Sequence, residues 1–360
     1  MYLIITRSFP PSIGGMQNLM WGLVNELSRL DIVKVFADYE NNHEEIDQSV
    51  SYSIERVKGA KILRKYRKAY LINEYLKSNK NIKCIIADHW KSLELIKTNV
   101  KKICLIHSKE INHDEGTSLY KRFNKTLNNS DIIVSNSEYT KNLASEKGIE
   151  KEKITIIHPG IEPVNEISEH NNKKAEELLF NKNPRLITVS RFDKRKNHSK
   201  IIMAIRNLKQ IYPNIIYTCI GYGEEEQKIK DLVKELKIEN HVLFFNSLSH
   251  NLKNALVAAS DIFVMPSIKF KKSVEGFGIV FIEAAQYGVP SIGGKDGGAS
   301  DAIIHNKTGL ICDGNNLEEI YNSINNLLEN KKFKDIGKLA RDNSTNFHWN
   351  KIIEKYKRIL

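Results

Sequence analysis

The sequence predicts an α/β chain built as two doubly wound, Rossmann-like domains facing across a cleft. Three observations carry this. The chain has 360 residues, too many for one ordinary α/β core and about right for two. Twelve short apolar runs rich in β-branched residues recur along it, each followed by a helical pattern. A polar break separates the first six runs from the last six.

The first series occupies residues 3–6, 33–37, 84–87, 103–106, 132–135 and 154–157. The second occupies 186–189, 215–220, 242–245, 262–265, 291–292 and 309–312. Buried strands alternating with helices of about 10 to 15 residues mark βαβ units and parallel sheets. Between the series, residues 163–184 are rich in Asn, Glu and Lys and read as a hinge with one short helix. The expected domains are 1–163, 164–345 and a terminal helix in 346–360 that returns to the first domain. No repeat of solenoid period is present. Ligands of open parallel sheets bind at the carboxyl ends of strands, so residues directly after the runs are the candidates.

Composition narrows the class. Hydrophobic residues make up 41% and charged residues 27%, a globular balance. No stretch approaches the roughly 18 apolar residues of a membrane span. The apolar start ends at Arg7 and a Pro pair, and reads as a first buried strand rather than a secretory signal. Cys84, Cys104, Cys219 and Cys312 lie far apart without C-x-x-C spacing, which fits neither zinc nor a disulfide framework and points to a reducing cytoplasm. The net charge of +12 favours anionic partners. Residues 56–68, from Arg56 to Lys68, hold seven cations and no acid, with Ile62, Leu63, Tyr66 and Ala69 at helical spacing. As one basic amphipathic helix this stretch suits an anionic membrane surface, or is a solvated surface helix.

Four segments carry chemistry. Ser12-Ile13-Gly14-Gly15-Met16-Gln17 follows the first strand and opens a helix, where glycine lets backbone approach a ligand and helix N–H groups face an anion. It is not a G-x-G-x-x-G fingerprint, and no P-loop occurs. Ser190-Arg191-Phe192-Asp193-Lys194-Arg195-Lys196 places four cations in six residues after a buried strand. Arg191 as a planar fork and Lys196 as a point charge suit a diphosphate. Gly221-Tyr222-Gly223 follows another strand in the same way. The fourth segment is Glu275-Gly276-Phe277-Gly278-Ile279-Val280-Phe281-Ile282-Glu283. Glu275 stands in a loop where it accepts hydroxyl hydrogen bonds beside the amides of the Gly-Phe-Gly turn. Glu283 lies on an otherwise apolar helix, where a carboxylate is costly unless paired or bound to ligand. Vicinal hydroxyls such as those of a ribose suit it.

Together with Pro266-Ser267, Gly288-Val289-Pro290 and Gly297-Gly298-Ala299, these segments resemble the donor region of retaining glycosyltransferases of the GT-B fold, family 4. The likeness spans essentially the whole chain. The F-P-P-S-I-G-G-M-Q start, the S-R-F-D-K-R-K-N turn and V-E-G-F-G are most similar to the bacterial phosphatidyl-myo-inositol mannosyltransferase branch. By its place after a strand Gly221 is expected to bring backbone to the same cleft; the resemblance implies that Gly15 contacts the donor phosphate and that Arg191 and Lys196 neutralise the diphosphate. It implies that Glu275, helped by Gly276, Phe277 and Gly278, holds the transferred sugar, that Glu283 holds the ribose, and that His107 lies near the reacting sugar. Departures are Asp301 for a frequent Glu, Asn246 for a Gly, and His107-Ser108-Lys109-Glu110 for His-Gly-His-Glu.

The expected activity is retaining transfer of a hexosyl group from a nucleotide sugar, GDP-mannose first, to a glycan or lipid-linked acceptor of the cell envelope, such as lipopolysaccharide. Cytoplasmic placement, peripheral on the inner membrane face, goes with it. No cofactor is expected and, with no Asp-x-Asp motif present, no metal. UDP-GlcNAc, UDP-Glc or UDP-Gal as donor is the alternative. A sugar-nucleotide epimerase shares the architecture but needs another acid/base set, and a nucleic-acid binder would need recognition modules that are absent.

Overall fold

The computed structural model describes residues 1–360, the side chain of Lys61 excepted. The chain forms two compact units, Met1–Glu162 with Phe347–Leu360, and Pro163–Asn346. Each is a parallel sheet covered by helices.

The first unit contains β1 (Tyr2–Ile5), β2 (Val33–Asp38), β3 (Ser53–Val57), β4 (Cys84–Ala87), β5 (Lys101–Ile106), β6 (Ile132–Ser135) and β7 (Ile154–Ile156). They pair in the order β3-β2-β1-β4-β5-β6-β7. The second unit contains β8 (Arg185–Val189), β9 (Ile216–Ile220), β10 (Val242–Phe245), β11 (Ile262–Met265), β12 (Ser291–Gly294) and β13 (Gly309–Cys312). Their order is β10-β9-β8-β11-β12-β13, and every pairing in both sheets is parallel. Central strands such as β1, β4, β9 and β11 are buried along their whole length. A parallel strand covered on both faces demands this, and it is why these runs read as continuous apolar stretches. In each sheet the strand order reverses beside its first strand, between β1 and β4 and between β8 and β11. Loops on either side of such a reversal diverge and leave a crevice at the carboxyl ends.

The stretch 56–68 does not form one helix. Arg56 belongs to the edge strand β3, where its guanidinium is bound by Asp47 at 2.6 Å and the Pro10 carbonyl at 2.6 Å. A turn follows, and the helix is Lys61–Ser78. Edge position explains the error: β3 mixes exposed and half-buried polar residues, so its pattern lacks the continuous apolar signature of the inner strands. Lys68 is also internal, its ammonium paired with Asp38 and donating to the Thr6 carbonyl at 2.7 Å.

The terminal helix Trp349–Lys357 buries Trp349, Ile352, Ile353 and Tyr356, an i, i+3, i+4, i+7 stripe. It packs on the helix Gly15–Ser28 in the first unit. Gly22 sits in the interior of that helix, where glycine costs about 1 kcal/mol relative to alanine. A Cβ there would stand 2.2 Å from the Trp349 indole, and one at Gly160 2.4 Å from it. The two glycines make the slot that receives the tryptophan.

Candidate functional site

In the second unit the loop after β8 folds back as a short turn, Lys194–Lys196, in which the Asp193 carboxylate accepts from the Lys196 amide at 3.2 Å. The turn sorts the four cations. Arg195 and Lys196 point inward and are buried. Arg191 points outward, its side chain 71% exposed, and pairs with Asp193 at 3.3 Å. Asn197 adopts a left-handed conformation at φ 64° and donates its amide to the carbonyls of Pro266 at 3.0 Å and Gly314 at 2.7 Å. This locks the β8 loop to the β11 loop across the reversal.

The β11 loop delivers Glu275 to the two inward cations. Its Oε2 accepts from Lys196 Nζ at 2.5 Å and from Arg195 Nη1 at 2.6 Å. Burial favours the neutral acid, but the charges of Lys196 and Arg195 outweigh it and hold the carboxyl at about 2. Burial likewise pushes the Lys196 ammonium below its ordinary value, opposed by Glu275. Two buried cations therefore share the Glu275 carboxylate, with Asp193 standing further off at 4.0 Å from Arg195. Glycines fix the backbone around it. Gly297, at φ 96°, has its Cβ position 2.3 Å from the Glu275 carbonyl, which accepts from the Gly298 amide at 2.8 Å. Gly278, at φ 85°, opens the helix Ile279–Gln286 without a side-chain cap. Gly276 and Phe277 make the turn before it, with Phe277 buried.

Gly221 follows β9 at φ 145°, and a Cβ there would meet the Ser190 carbonyl at 1.9 Å. Its glycine is required by close approach to the β8 loop. Glu283 does not join the Glu275 cluster. It lines a small cavity with Lys253, Asn254 and Tyr287, and burial raises its carboxyl against the pull of Lys253. The Tyr287 hydroxyl in the same place is buried without a partner among the described residues.

In the first unit, Asp88 follows β4 and ties the reversal together. Its Oδ2 accepts from the amides of Arg7 at 2.7 Å and Ser8 at 3.2 Å and from the Thr6 hydroxyl at 2.9 Å. His107, directly after β5, places Nε2 at 3.1 Å from the Asp88 carbonyl. That acceptor assigns the proton to Nε2 and leaves Nδ1 as an acceptor in the neutral ring. The His107 amide donates to Glu110 at 2.5 Å. Ser108 takes φ 93°, a conformation that favours glycine, at the position where the resembling family often has one. His107, Glu110, Asp88, His89, Arg7 and Met16 line an open cavity of ≈ 590 Å³. Gly15 is the first residue of the helix Gly15–Ser28, which also lacks a side-chain cap, so its first amides are open to an anion.

The sequence alone did not single out Arg195, Asp88 or His89. Arg195 lies in the same basic run as Lys196, but spacing gives no way to tell which cations a turn faces inward. Asp88-His89 carried a usable signal, two titratable residues directly after the buried run 84–87.

Sequence comparison adds to this geometry. A profile described as Glycosyltransferase Family 4 matches residues 13–165, and one described as Glycosyl transferases group 1 matches residues 169–343. A GDP-mannose-dependent alpha-(1-6)-phosphatidylinositol monomannoside mannosyltransferase of Mycolicibacterium smegmatis is 25% identical over 346 residues, covering 91% of this chain and 88% of that protein. An N-acetyl-alpha-D-glucosaminyl L-malate synthase of Bacillus anthracis is 27% identical over 260 residues, covering 65% of this chain and 66% of that protein. Among solved structures, Anabaena HepE in complex with UDP-glucose superposes with a TM-score of 0.82 at 18% identity, covering 100% of this chain and 99% of that one.

Proposed function

The chain belongs to the family 4 glycosyltransferases, and we propose that it moves a mannosyl group from GDP-mannose, with retention, to a hydroxyl of an envelope glycan or glycolipid. The observation that carries this is the Glu275–Lys196–Arg195 cluster at the carboxyl ends of β8 and β11. Its two cations meet the diphosphate, with Arg191 reaching from the surface. Only one oxygen of Glu275 is engaged by them. Oε1 is left to accept from a hydroxyl of the transferred sugar beside Gly276, Phe277 and Gly278. Glu283 binds the ribose, Gly221 borders the nucleotide, Gly15 presents helix amides to the donor phosphate, and His107 contacts the reacting sugar.

Chemistry then proceeds on one face of the sugar. The bond from C1 to the diphosphate oxygen breaks as the acceptor oxygen bonds C1 from the same side. The acceptor proton passes to the departing phosphate oxygen. Preorganised cations and helix amides stabilise that developing charge, so the reaction needs no metal and survives chelator. The mannosyl donor rests on the mycobacterial relative's name. A UDP-sugar is the second reading, favoured by the UDP-glucose held by HepE.

No helix among the described residues is long and apolar enough to cross a membrane. Peripheral contact with the inner face of the cytoplasmic membrane is supported by Ile62, Leu63, Tyr66 and Tyr70. All four are exposed on the helix Lys61–Ser78, which also carries Lys65 and Arg67. Arg56 and Lys68 take no part, since both are buried in ion pairs. No nucleic-acid partner is proposed.

A thermal-shift screen of GDP-, UDP- and ADP-sugars tests the donor. Stabilisation follows affinity, so the largest shift is expected with GDP-mannose. A larger shift with a UDP-sugar moves the assignment to the second reading, and no shift with any nucleotide overturns both.

A further inference from the structure

The loop after β9, Gly221-Tyr222-Gly223, carries two glycines pressed against the loop after β8. A Cβ at Gly221 would stand 1.9 Å from the Ser190 carbonyl, and one at Gly223 2.4 Å from the Phe192 carbonyl. The residue between them is tied on both sides. The Gly221 amide donates to the Phe245 carbonyl, at the end of β10, at 2.8 Å. The Tyr222 carbonyl accepts from the Phe192 amide at 2.9 Å, and the Glu225 amide donates back to the Phe192 carbonyl at 3.0 Å. Phe192 is itself fully buried, with the His198 and Phe244 rings 4.9 and 6.3 Å away. The backbone of Tyr222 is therefore fixed to both neighbouring strands through their loops.

Its side chain has no such ties. Tyr222 is 66% exposed, and among the described residues no hydrogen bond, aromatic ring or cation holds its ring or hydroxyl. Of the exposed aromatic residues Tyr66, Tyr70, Phe180 and Tyr222, it alone directly follows the carboxyl end of a strand. Ligands of open parallel sheets bind at that end. β9 lies beside β8, whose loop brings Arg195 and Lys196 to Glu275. Neighbouring strands are about 4.8 Å apart, a step that a nucleoside spans from a diphosphate held at those cations. An aromatic face presented from a fixed backbone suits a flat partner, because little ordering entropy is lost when the two stack.

We propose that Tyr222 contacts the nucleobase of the donor, its ring stacking on the base while the two flanking glycines hold its backbone in place. The inference rests on the nucleotide-sugar reading and adds to it a residue that carries base affinity. The phenol hydroxyl is not needed for this, since the face of the ring makes the contact.

Calorimetry on the full chain tests this with wild type, Tyr222→Phe and Tyr222→Ala, titrated with GDP, UDP, GDP-mannose and inorganic pyrophosphate. Both variants are expected to melt with the wild type in the absence of ligand, because the side chain is exposed. Tyr222→Ala is expected to bind the nucleotides about fivefold to a hundredfold more weakly and pyrophosphate unchanged. Tyr222→Phe keeps the ring face and is expected to bind every ligand as the wild type does. Nucleotide affinity untouched by Tyr222→Ala overturns the proposal. So does an equal loss of nucleotide and pyrophosphate affinity, which marks damage to the loop rather than a lost base contact. A loss confined to GDP-mannose, with GDP unaffected, gives the ring to the sugar and overturns it as well. Wild-type protein that binds no nucleotide refutes the donor reading and this contact together, whereas nucleotide binding indifferent to Tyr222→Ala refutes this contact alone.

Discussion

Replacing Glu275 by Gln removes the one negative charge that two buried cations share. The cost follows from the structure. The Glu275 carboxyl is held at about 2 against an ordinary value of 4.5. At about 1.4 kcal/mol per pH unit, that difference is worth about 3 kcal/mol. Removing one partner of a buried ion pair costs about 3–5 kcal/mol in general, the same range. Proton loss from Lys196, whose ammonium is already lowered, caps the penalty. For a unit the size of Pro163–Asn346, about 3 kcal/mol corresponds to a fall in Tm of about 6–12 °C. The pH dependence has a fixed sign. Because the folded carboxyl is depressed, its contribution is complete above about pH 4.5 and is lost as pH falls through about 2. Differential scanning fluorimetry of wild type and Glu275→Gln is therefore expected to show a gap that is constant near neutrality and narrows below about pH 4.5. Sugar transfer is lost in the variant at every pH. Equal Tm values at pH 7, a gap that widens in acid, or full transfer by the variant would refute the reasoning.

Two further variants test the scaffold around the cluster. Gly297→Ala forces a Cβ against the Glu275 carbonyl at 2.3 Å in a left-handed conformation. It is expected to cost about 2 kcal/mol or more and to weaken nucleotide binding in calorimetry; unchanged nucleotide affinity would remove Gly297 from the support of Glu275. His198 is buried between Ser190 and the Tyr217 hydroxyl, and burial, aided by Lys196, lowers it to about 3 from 6.5. Its neutral folded form means stability is lost as pH falls from 6.5 toward 3, at up to about 1.4 kcal/mol per pH unit. His198→Gln is expected to flatten that acid limb in a Tm–pH series, and an unchanged slope would contradict it.

Inner strands were legible because burial on both faces writes itself as a continuous apolar run. The runs 84–87, 132–135 and 262–265 coincide with the inner strands β4, β6 and β11. The edge strand β3 was illegible for the converse reason, since half its surface meets solvent and its cations mimic a surface helix. Trp349 shows a third case. Its apolar neighbours announce a terminal helix, but the slot at Gly22 and Gly160 is a relation between residues more than a hundred positions apart, which no local pattern contains. The same limit applies at the site. Glu275 and Lys196 were separately recognisable as unusual residues beside strand ends, whereas their contact at 2.5 Å depends on Asn197 bridging two loops.

That contact changes how donor binding is understood. If Glu275 reads a sugar hydroxyl while Lys196 and Arg195 hold phosphate, the free protein faces the problem of storing these charges close together without ligand. The ion cluster solves it by letting them neutralise one another in part. Donor binding need not dismantle it. An ammonium has three donors and a guanidinium five, while each cation gives only one bond to Glu275 Oε2. Lys196 also donates to Met265 Sδ at 3.3 Å, and the proposed reading gives the donors still left over to the diphosphate and Oε1 of the carboxylate to the sugar. On the proposed reading Glu275 acts twice, holding the cations in place before a donor arrives and accepting from its sugar afterwards. A substitution at this position is consequently expected to alter stability and transfer together, whereas loss of the exposed, Asp193-paired Arg191 is expected to weaken only the proposed phosphate contact and leave the cluster intact.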